Sequence, residues 1–118
     1  MSYDIRLSDP ETGAALTVPN KHNLHGGTYM EGGTNDLWLN VTYNYCNQFL
    51  KAFGENGIRT IYGMTGAESV PVLEEAMDRL HGLPSSNYWD STEGNAKEAL
   101  GNLYLFAKER PDGVWKGD

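Results

Sequence analysis

The hydrophobic pattern of this chain changes period once, close to Thr42, and this change limits the folds open to it. Residues 36–42 alternate apolar and polar side chains, as a half-buried β-strand does. The apolar residues that follow recur at the three- and four-residue spacing of a helix. Strands therefore precede helices, which predicts an α+β domain. The recurring helical positions are Cys46, Phe49, Leu50 and Phe53.

Two hairpins are predicted in the N-terminal part of the chain. Residues 3–7 and 15–18 have strand patterns and flank a turn segment that contains proline and glycine. Residues 24–30 and 36–42 form a second candidate pair, with Gly32-Gly33 in the loop between them. Together they predict an N-terminal antiparallel sheet of about four strands.

About three C-terminal helices are predicted to pack on this sheet. The first ends at Gly54. Thr65 and Glu68 have the form of a capping box, but Pro71 follows, so either the box closes a preliminary turn or the second helix starts at Val70 with Pro71 in its first turn. The third ends at Arg110, which precedes a proline. The remaining tail is turn-like, with Trp115 as an anchor to the core.

Length and charge narrow the function. The chain has 118 residues, which predicts a single globular α+β domain over residues 1–118. Its formal net charge of −7 argues against direct binding of nucleic acid or of an anionic membrane. No apolar run approaches the roughly 20 residues that span a bilayer. A single cysteine and no secretory signal predict a cytoplasmic location.

No motif in the chain predicts catalysis, a metal site or a cofactor. The stretch HGGTYMEGGTN lacks the lysine of a phosphate-binding loop, and a strand pattern follows it where a helix is needed. The three histidines are scattered, and Cys46 lies on an apolar helical stripe, which predicts a buried, inert thiol. We therefore predict no catalytic residue, and an enzyme is the less favoured class.

A binding surface is predicted on the sheet face that Trp38 shares with alternate residues of its strand. Tyrosine and tryptophan are favoured at interfaces because they bury much area at little cost in entropy. A structural alternative is that the polar and aromatic run 40–45 fixes the sheet against the first helix. The candidate binding residues are His25, Gly26, Gly27, Tyr29, Trp38, Asn40, Thr42, Arg59 and Tyr62.

Four long motifs of the chain carry a resemblance to a known group of proteins. They read GGTNDLWLNVTYNY, FGENGIRTIYGMTGAESVPVLE, YWDSTEGNAKEAL and RPDGVWKGD. In these stretches the chain resembles a family of small acidic proteins of phages, prophages and mobile elements of gut Firmicutes. The resemblance extends from Tyr3 to Asp118 and supplies no active site. It implies an accessory function such as inhibition of a bacterial defence system.

Two functions remain open. The first is a module that binds a host or defence-system protein through an acidic surface bearing aromatic side chains. The alternative is a protein that binds or sequesters a small, nucleotide-like ligand with the glycine-rich hairpin and its neighbouring aromatics. An exposed edge strand of the predicted sheet also makes a homodimer possible.

Overall fold

A computed structural model describes residues 2–22 and 32–118 of the chain. These residues form two antiparallel sheets and three α-helices, so the predicted α+β class is confirmed. Short 3-10 turns at Tyr43–Tyr45 and Gly57–Ile61 precede and follow the first helix. The strands are β1 (Ser2–Ser8), β2 (Thr17–His22), β3 (Thr34–Asp36), β4 (Trp38–Thr42) and β5 (Val114–Gly117), and the helices are α1 (Cys46–Phe53), α2 (Gly66–Asp78) and α3 (Glu93–Glu109).

The main sheet has three strands in the order β4-β1-β5, and both neighbours of β1 run antiparallel to it. Ile5 lies opposite Leu39 on one side and opposite Gly117 on the other. Alternate side chains of the three strands enter the core, as the twofold period of a strand requires. These core residues are Tyr3, Ile5, Leu7, Leu39, Val41 and Trp115.

The first predicted hairpin, between residues 3–7 and 15–18, is formed only at its turn end. After β1 the chain returns only as an isolated bridge between Ser8 and Ala15, and β2 pairs with β3 in a separate two-stranded sheet. β5 follows the helices in the chain, so the helices are not all C-terminal to the sheet. Side-chain character explains the difference, because β2 is largely exposed and polar whereas β4 and β5 bring buried apolar residues to β1.

The second predicted hairpin is described only in part. Its first strand, residues 24–30, lies outside the described residues. Gly32 and Gly33 adopt φ angles of +79° and +86°, a backbone region that favours glycine in turns. The residues after them form β3 and β4, and it is β3 that pairs with β2.

The predicted capping box is confirmed, but α2 begins directly after it at Gly66 and not at Val70, so Pro71 lies inside the helix. The Thr65 hydroxyl accepts a hydrogen bond from the Glu68 backbone N–H at 3.0 Å, and the Glu68 carboxylate accepts one from the Thr65 N–H at 2.9 Å. Two of the backbone donors at the start of α2 are thereby satisfied.

The stripe predicted for the first helix is wrong in part. Phe49 is buried, but Cys46 and Leu50 are exposed, so the prediction of a buried thiol is also wrong. Within α1 the core-facing stripe passes through Phe49 and Ala52, so it lies on a different side of the helix from Cys46 and Leu50. The buried face is carried by Tyr45, Phe49 and Ala52.

Trp115 anchors the end of the described chain, as predicted, although the tail forms strand β5 and not a turn. Its side chain is fully buried, and its indole N–H donates to the Ser69 hydroxyl at 2.7 Å. The same hydroxyl donates to the backbone oxygen of Gly66 at 2.8 Å. The hydroxyl of Ser69 thus joins α2 to β5 inside the core.

We expect Ser69→Ala to lower the free energy of unfolding by about 1–3 kcal/mol, because the buried indole N–H of Trp115 loses its acceptor. Urea denaturation at equilibrium measures this change. Ser86→Ala, at an exposed position, is the matched control and should change stability by less than about 0.5 kcal/mol. Equal effects of the two substitutions would show that the buried hydrogen bond is not important for stability.

Candidate functional site

The residues predicted to bind a partner are only partly within the described chain. Trp38 is half-buried on β4, where it lies opposite Arg6 of β1. Four other candidates, His25, Gly26, Gly27 and Tyr29, lie outside the described residues. The role of this glycine-rich segment therefore stays a prediction.

Asn40 and Thr42 are buried and make hydrogen bonds within the fold. The Asn40 amide donates to the Ser2 hydroxyl at 2.7 Å and to the Asp4 carboxylate at 2.8 Å. The Thr42 hydroxyl accepts from the Asn44 backbone N–H at 3.1 Å and so caps the 3-10 turn that follows β4. These contacts support the structural alternative for this part of the sequence.

Arg59 and Tyr62 lie in a cluster of tyrosines near the end of the main sheet. The Arg59 guanidinium carbon is 5.0 Å from the centre of the Tyr3 ring and 6.0 Å from that of Tyr43, which is cation–π geometry. The Tyr62 hydroxyl is buried and has no hydrogen-bond partner among the residues that the structure describes. This burial raises the pKa of Tyr62 above its ordinary value.

Hydrogen bonds connect the two groups of predicted residues. Asp4, which accepts from Asn40, donates its backbone N–H to the Asp118 carboxylate at 2.9 Å. The backbone oxygen of Asp118 in turn accepts from the Arg59 side chain at 2.9 Å. The structure therefore brings Asn40 and Arg59 into one network, in which their polar groups already have protein partners.

A second surface, which the sequence did not single out, is the loop formed by residues 83–92 between α2 and α3. Its path is set by the buried side chain of Asn95 in the first turn of α3. The Asn95 amide oxygen accepts from the Ser85 N–H at 2.8 Å. The amide nitrogen lies 2.9 Å from the Asn87 oxygen and 3.0 Å from that of Asp90. One side chain thus holds both halves of the loop.

Gly94 lets the start of the loop cross directly over α3. A Cβ atom at this position would lie 2.0 Å from the carbonyl oxygen of Leu83 and 2.4 Å from its carbonyl carbon. No side-chain atom fits at such a short distance, so the loop can cross here only because residue 94 is glycine. The adjacent pair Gly94-Asn95 therefore provides both the space for the loop and its hydrogen bonds.

The other side of the loop is bonded to the start of α1. The Asn44 amide donates to the Trp89 backbone oxygen at 2.9 Å, and the Ser91 hydroxyl donates to the Asn44 oxygen at 2.7 Å. The Gln48 amide donates to the Ser91 oxygen at 3.1 Å. The loop is thus fixed between two helices through its backbone.

This fixed loop exposes large apolar side chains. The Trp89 side chain is 52% exposed, and Leu83 is 89% exposed. The Trp89 ring meets the Tyr88 ring edge-on at 4.9 Å, and the Tyr88 ring meets that of buried Tyr45 at 5.6 Å. The Tyr45 hydroxyl donates to the Tyr88 backbone oxygen, and burial raises the pKa of Tyr45. The exposed indole is therefore supported by aromatic packing that extends into the core.

Glu93 joins the loop region to two other elements. Its carboxylate accepts from the Lys51 ammonium at 2.7 Å and from the His81 backbone N–H at 3.0 Å. The Lys51 hydrogen bond, followed by that from His81, holds the pKa of Glu93 below its usual value. One carboxylate thus connects α1, the end of the α2 region and the start of α3.

The sequence of this loop contains a feature that is typical of a binding surface. The stretch LPSSNYW has the composition of a connecting loop, and it also places two aromatic residues next to turn-forming ones. Residues 90–93 offer several possible caps for α3, and Asp90 and Glu93 have the spacing of a capping box, but they do not form one. The N-cap of α3 is Thr92, whose hydroxyl accepts from the Asn95 N–H at 3.1 Å.

The described surface also has a recess beside β2. A recess of about 170 Å³ lies between β2 and the end of α3, with Leu37 and Phe106 among its lining residues. In the described ranges, no three His, Cys, Asp or Glu side chains are grouped closely enough to hold a metal ion. None of the helices there is long and apolar enough to cross a membrane. Comparison with protein-family models, curated proteins and solved structures gave no match for this chain.

We expect Asn95→Ala to loosen the loop while α3 remains folded. The substitution removes the acceptor of the Ser85 N–H and the donor to the loop carbonyls. Hydrogen exchange should therefore accelerate at the amides of residues 85–90. Asn102→Ala, on the same helix, is the control and should leave these amides unchanged. Unaltered protection of the loop in Asn95→Ala would contradict the assigned role of this side chain.

We expect Glu93 to make stability depend on pH. Because its pKa is lowered on folding, it stabilises the native state above its unfolded pKa of about 4.3, and this stabilisation disappears as pH falls through the lower folded pKa. Glu93→Gln should therefore lower the thermal midpoint at pH 7 and approach the wild-type midpoint toward pH 3. A difference that is constant over this range would contradict an ionic role for Glu93.

Proposed function

We propose that this chain is a non-catalytic module that binds another protein through the loop of residues 83–92, with Trp89 as its anchor. The observation that supports this most directly is the half-exposed indole on a backbone bonded from both sides. Tryptophan is enriched among the few residues that contribute most to protein–protein binding.

The rigidity of the loop supports a binding role as well. Association costs free energy for each loop and side chain that becomes ordered at the interface. Here Asn95 and Asn44 order the backbone around Trp89 before any partner arrives. The edge-on contact with Tyr88 also restricts the indole. Most of the ordering cost is therefore met during folding.

Binding of a small ligand has less support in the described part of the chain. Asn40, Thr42 and Arg59 each make hydrogen bonds to other groups of the protein. The recess beside β2 has a volume of about 170 Å³, whereas pockets for drug-sized ligands usually have about 300–1,000 Å³. We therefore favour a protein partner. The resemblance to phage and mobile-element proteins makes a bacterial host or defence-system protein the first class to test.

We expect Trp89→Ala to weaken partner binding by about 30-fold or more, which corresponds to the roughly 2 kcal/mol of an interface hot spot. Tagged wild-type protein is used to capture proteins from a bacterial lysate, and each captured protein is purified and titrated calorimetrically. Leu105→Ala is the control, because Leu105 is also a large exposed apolar residue, 49% exposed on α3. Circular dichroism checks that both variants fold.

Two results would contradict the proposal. The first is that no captured protein binds the wild type directly after purification. The second is that direct binding occurs but is weakened equally by Trp89→Ala and Leu105→Ala, since the loop would then have no special role.

A further inference from the structure

Residues 83–98, which form the exposed loop and the start of α3, carry more acidic than basic side chains. Asp90, Glu93 and Glu98 lie within or just after the loop, and Lys97 is the one cation in residues 83–98. Glu93 is already paired with Lys51. Asp90 and Glu98 are both exposed, so their charges are available to a partner.

The carboxylates of Asp90 and Glu98 lie in or next to the loop that carries Tyr88 and Trp89. Asp90 directly follows Trp89 in the loop, and Glu98 lies one helical turn after Gly94 and Asn95, the two residues of α3 that the loop crosses and bonds to. The Asp90 carboxylate is also fixed in the loop, because it accepts from the Ser85 hydroxyl at 3.0 Å and from the Asn87 amide at 3.1 Å. Negative charge and exposed apolar area therefore occur on one surface.

A second copy of this chain is a poor occupant for this surface. A twofold interface brings the same surface of each copy together. The carboxylates of Asp90 and Glu98 would then face an equally acidic loop, and like charges at an interface oppose association. The formal net charge of −7 on the whole chain also opposes its self-association.

We infer that the partner presents Lys and Arg side chains around an apolar recess that receives the Trp89 indole. This inference rests on the proposed function and specifies the chemistry of the partner. The apolar contact supplies affinity, and the opposite charges around it supply orientation and a faster encounter. Exposed charge pairs also explain why the interaction should weaken as salt screens them.

A displayed library of random 12-residue peptides tests this without knowledge of the natural partner. The library is selected on wild-type protein after depletion on Trp89→Ala. We expect the retained peptides to combine an aromatic or aliphatic residue with flanking Lys or Arg. Their dissociation constants should rise several-fold between 50 and 300 mM salt.

A matched pair of charge variants locates the effect. Glu98→Gln should weaken the selected peptides about two- to fivefold, the range of an exposed ion pair. Glu109→Gln removes an exposed carboxylate on the same helix. Eleven residues along a helix correspond to roughly 16 Å, which is about two Debye lengths at physiological salt. This control should therefore change the dissociation constant by less than about 1.5-fold.

The outcomes separate the inference from the function on which it rests. Trp89-dependent peptides that are neutral or acidic, or that bind equally at both salt concentrations, would overturn the basic partner but leave a protein-binding loop in place. Equal effects of Glu98→Gln and Glu109→Gln would also overturn it. A selection that yields no Trp89-dependent peptide would count against both.

Discussion

The fold depends on the pairing of β1 with strands from distant parts of the chain. β1 lies between β4 and β5, and its inward side chains form the centre of the buried layer. Because both edges of β1 are paired, β2 pairs with β3 in a separate sheet. The outer edge of β5 is also occupied, since Trp115 exchanges backbone hydrogen bonds with Gly63 and Met64. The loop that presents Trp89 projects from a structure closed in this way.

Rigid support for the loop comes from groups that are themselves buried. Asn95 is almost fully buried, and its amide makes no contribution to an external surface. A buried amide has to be hydrogen-bonded, because leaving it without partners costs free energy. The hydrogen bonds between the Asn95 amide and the loop carbonyls give the amide its acceptors and give the carbonyls a donor. The loop and the start of α3 therefore depend on each other for stability.

The parts of the fold that follow from local chemistry could be predicted from the sequence. The capping box at Thr65, the end of α1 at Gly54 and the anchoring of Trp115 each depend on residues near one another or on one large apolar side chain. Strand pairing could not be predicted, because β1 has two possible returns with similar patterns. The choice between them depends on burial of β4 and β5, which only the assembled core determines.

The candidate site was harder to predict for a related reason. The sequence predicts a binding surface at Trp38, Asn40 and Thr42, because aromatic and polar residue types lie together in this strand. Sequence alone does not show that Asn40 is bonded to Asp4 within the fold, whereas Trp89 remains in solvent. Exposure of an aromatic side chain results from the packing of several elements. The short pattern around it looks like an ordinary connection.

The nature of the Asn95 contacts has a consequence for how this protein can diversify. The acceptors at Asn87 and Asp90 are backbone oxygens, which every amino acid supplies. Side chains at exposed positions such as Ser86 and Trp89 can therefore be exchanged while the backbone keeps its path. Antibodies gain new specificities in this manner, with varied loops on a constant framework. Selection acting on this loop can change the partner without a new fold.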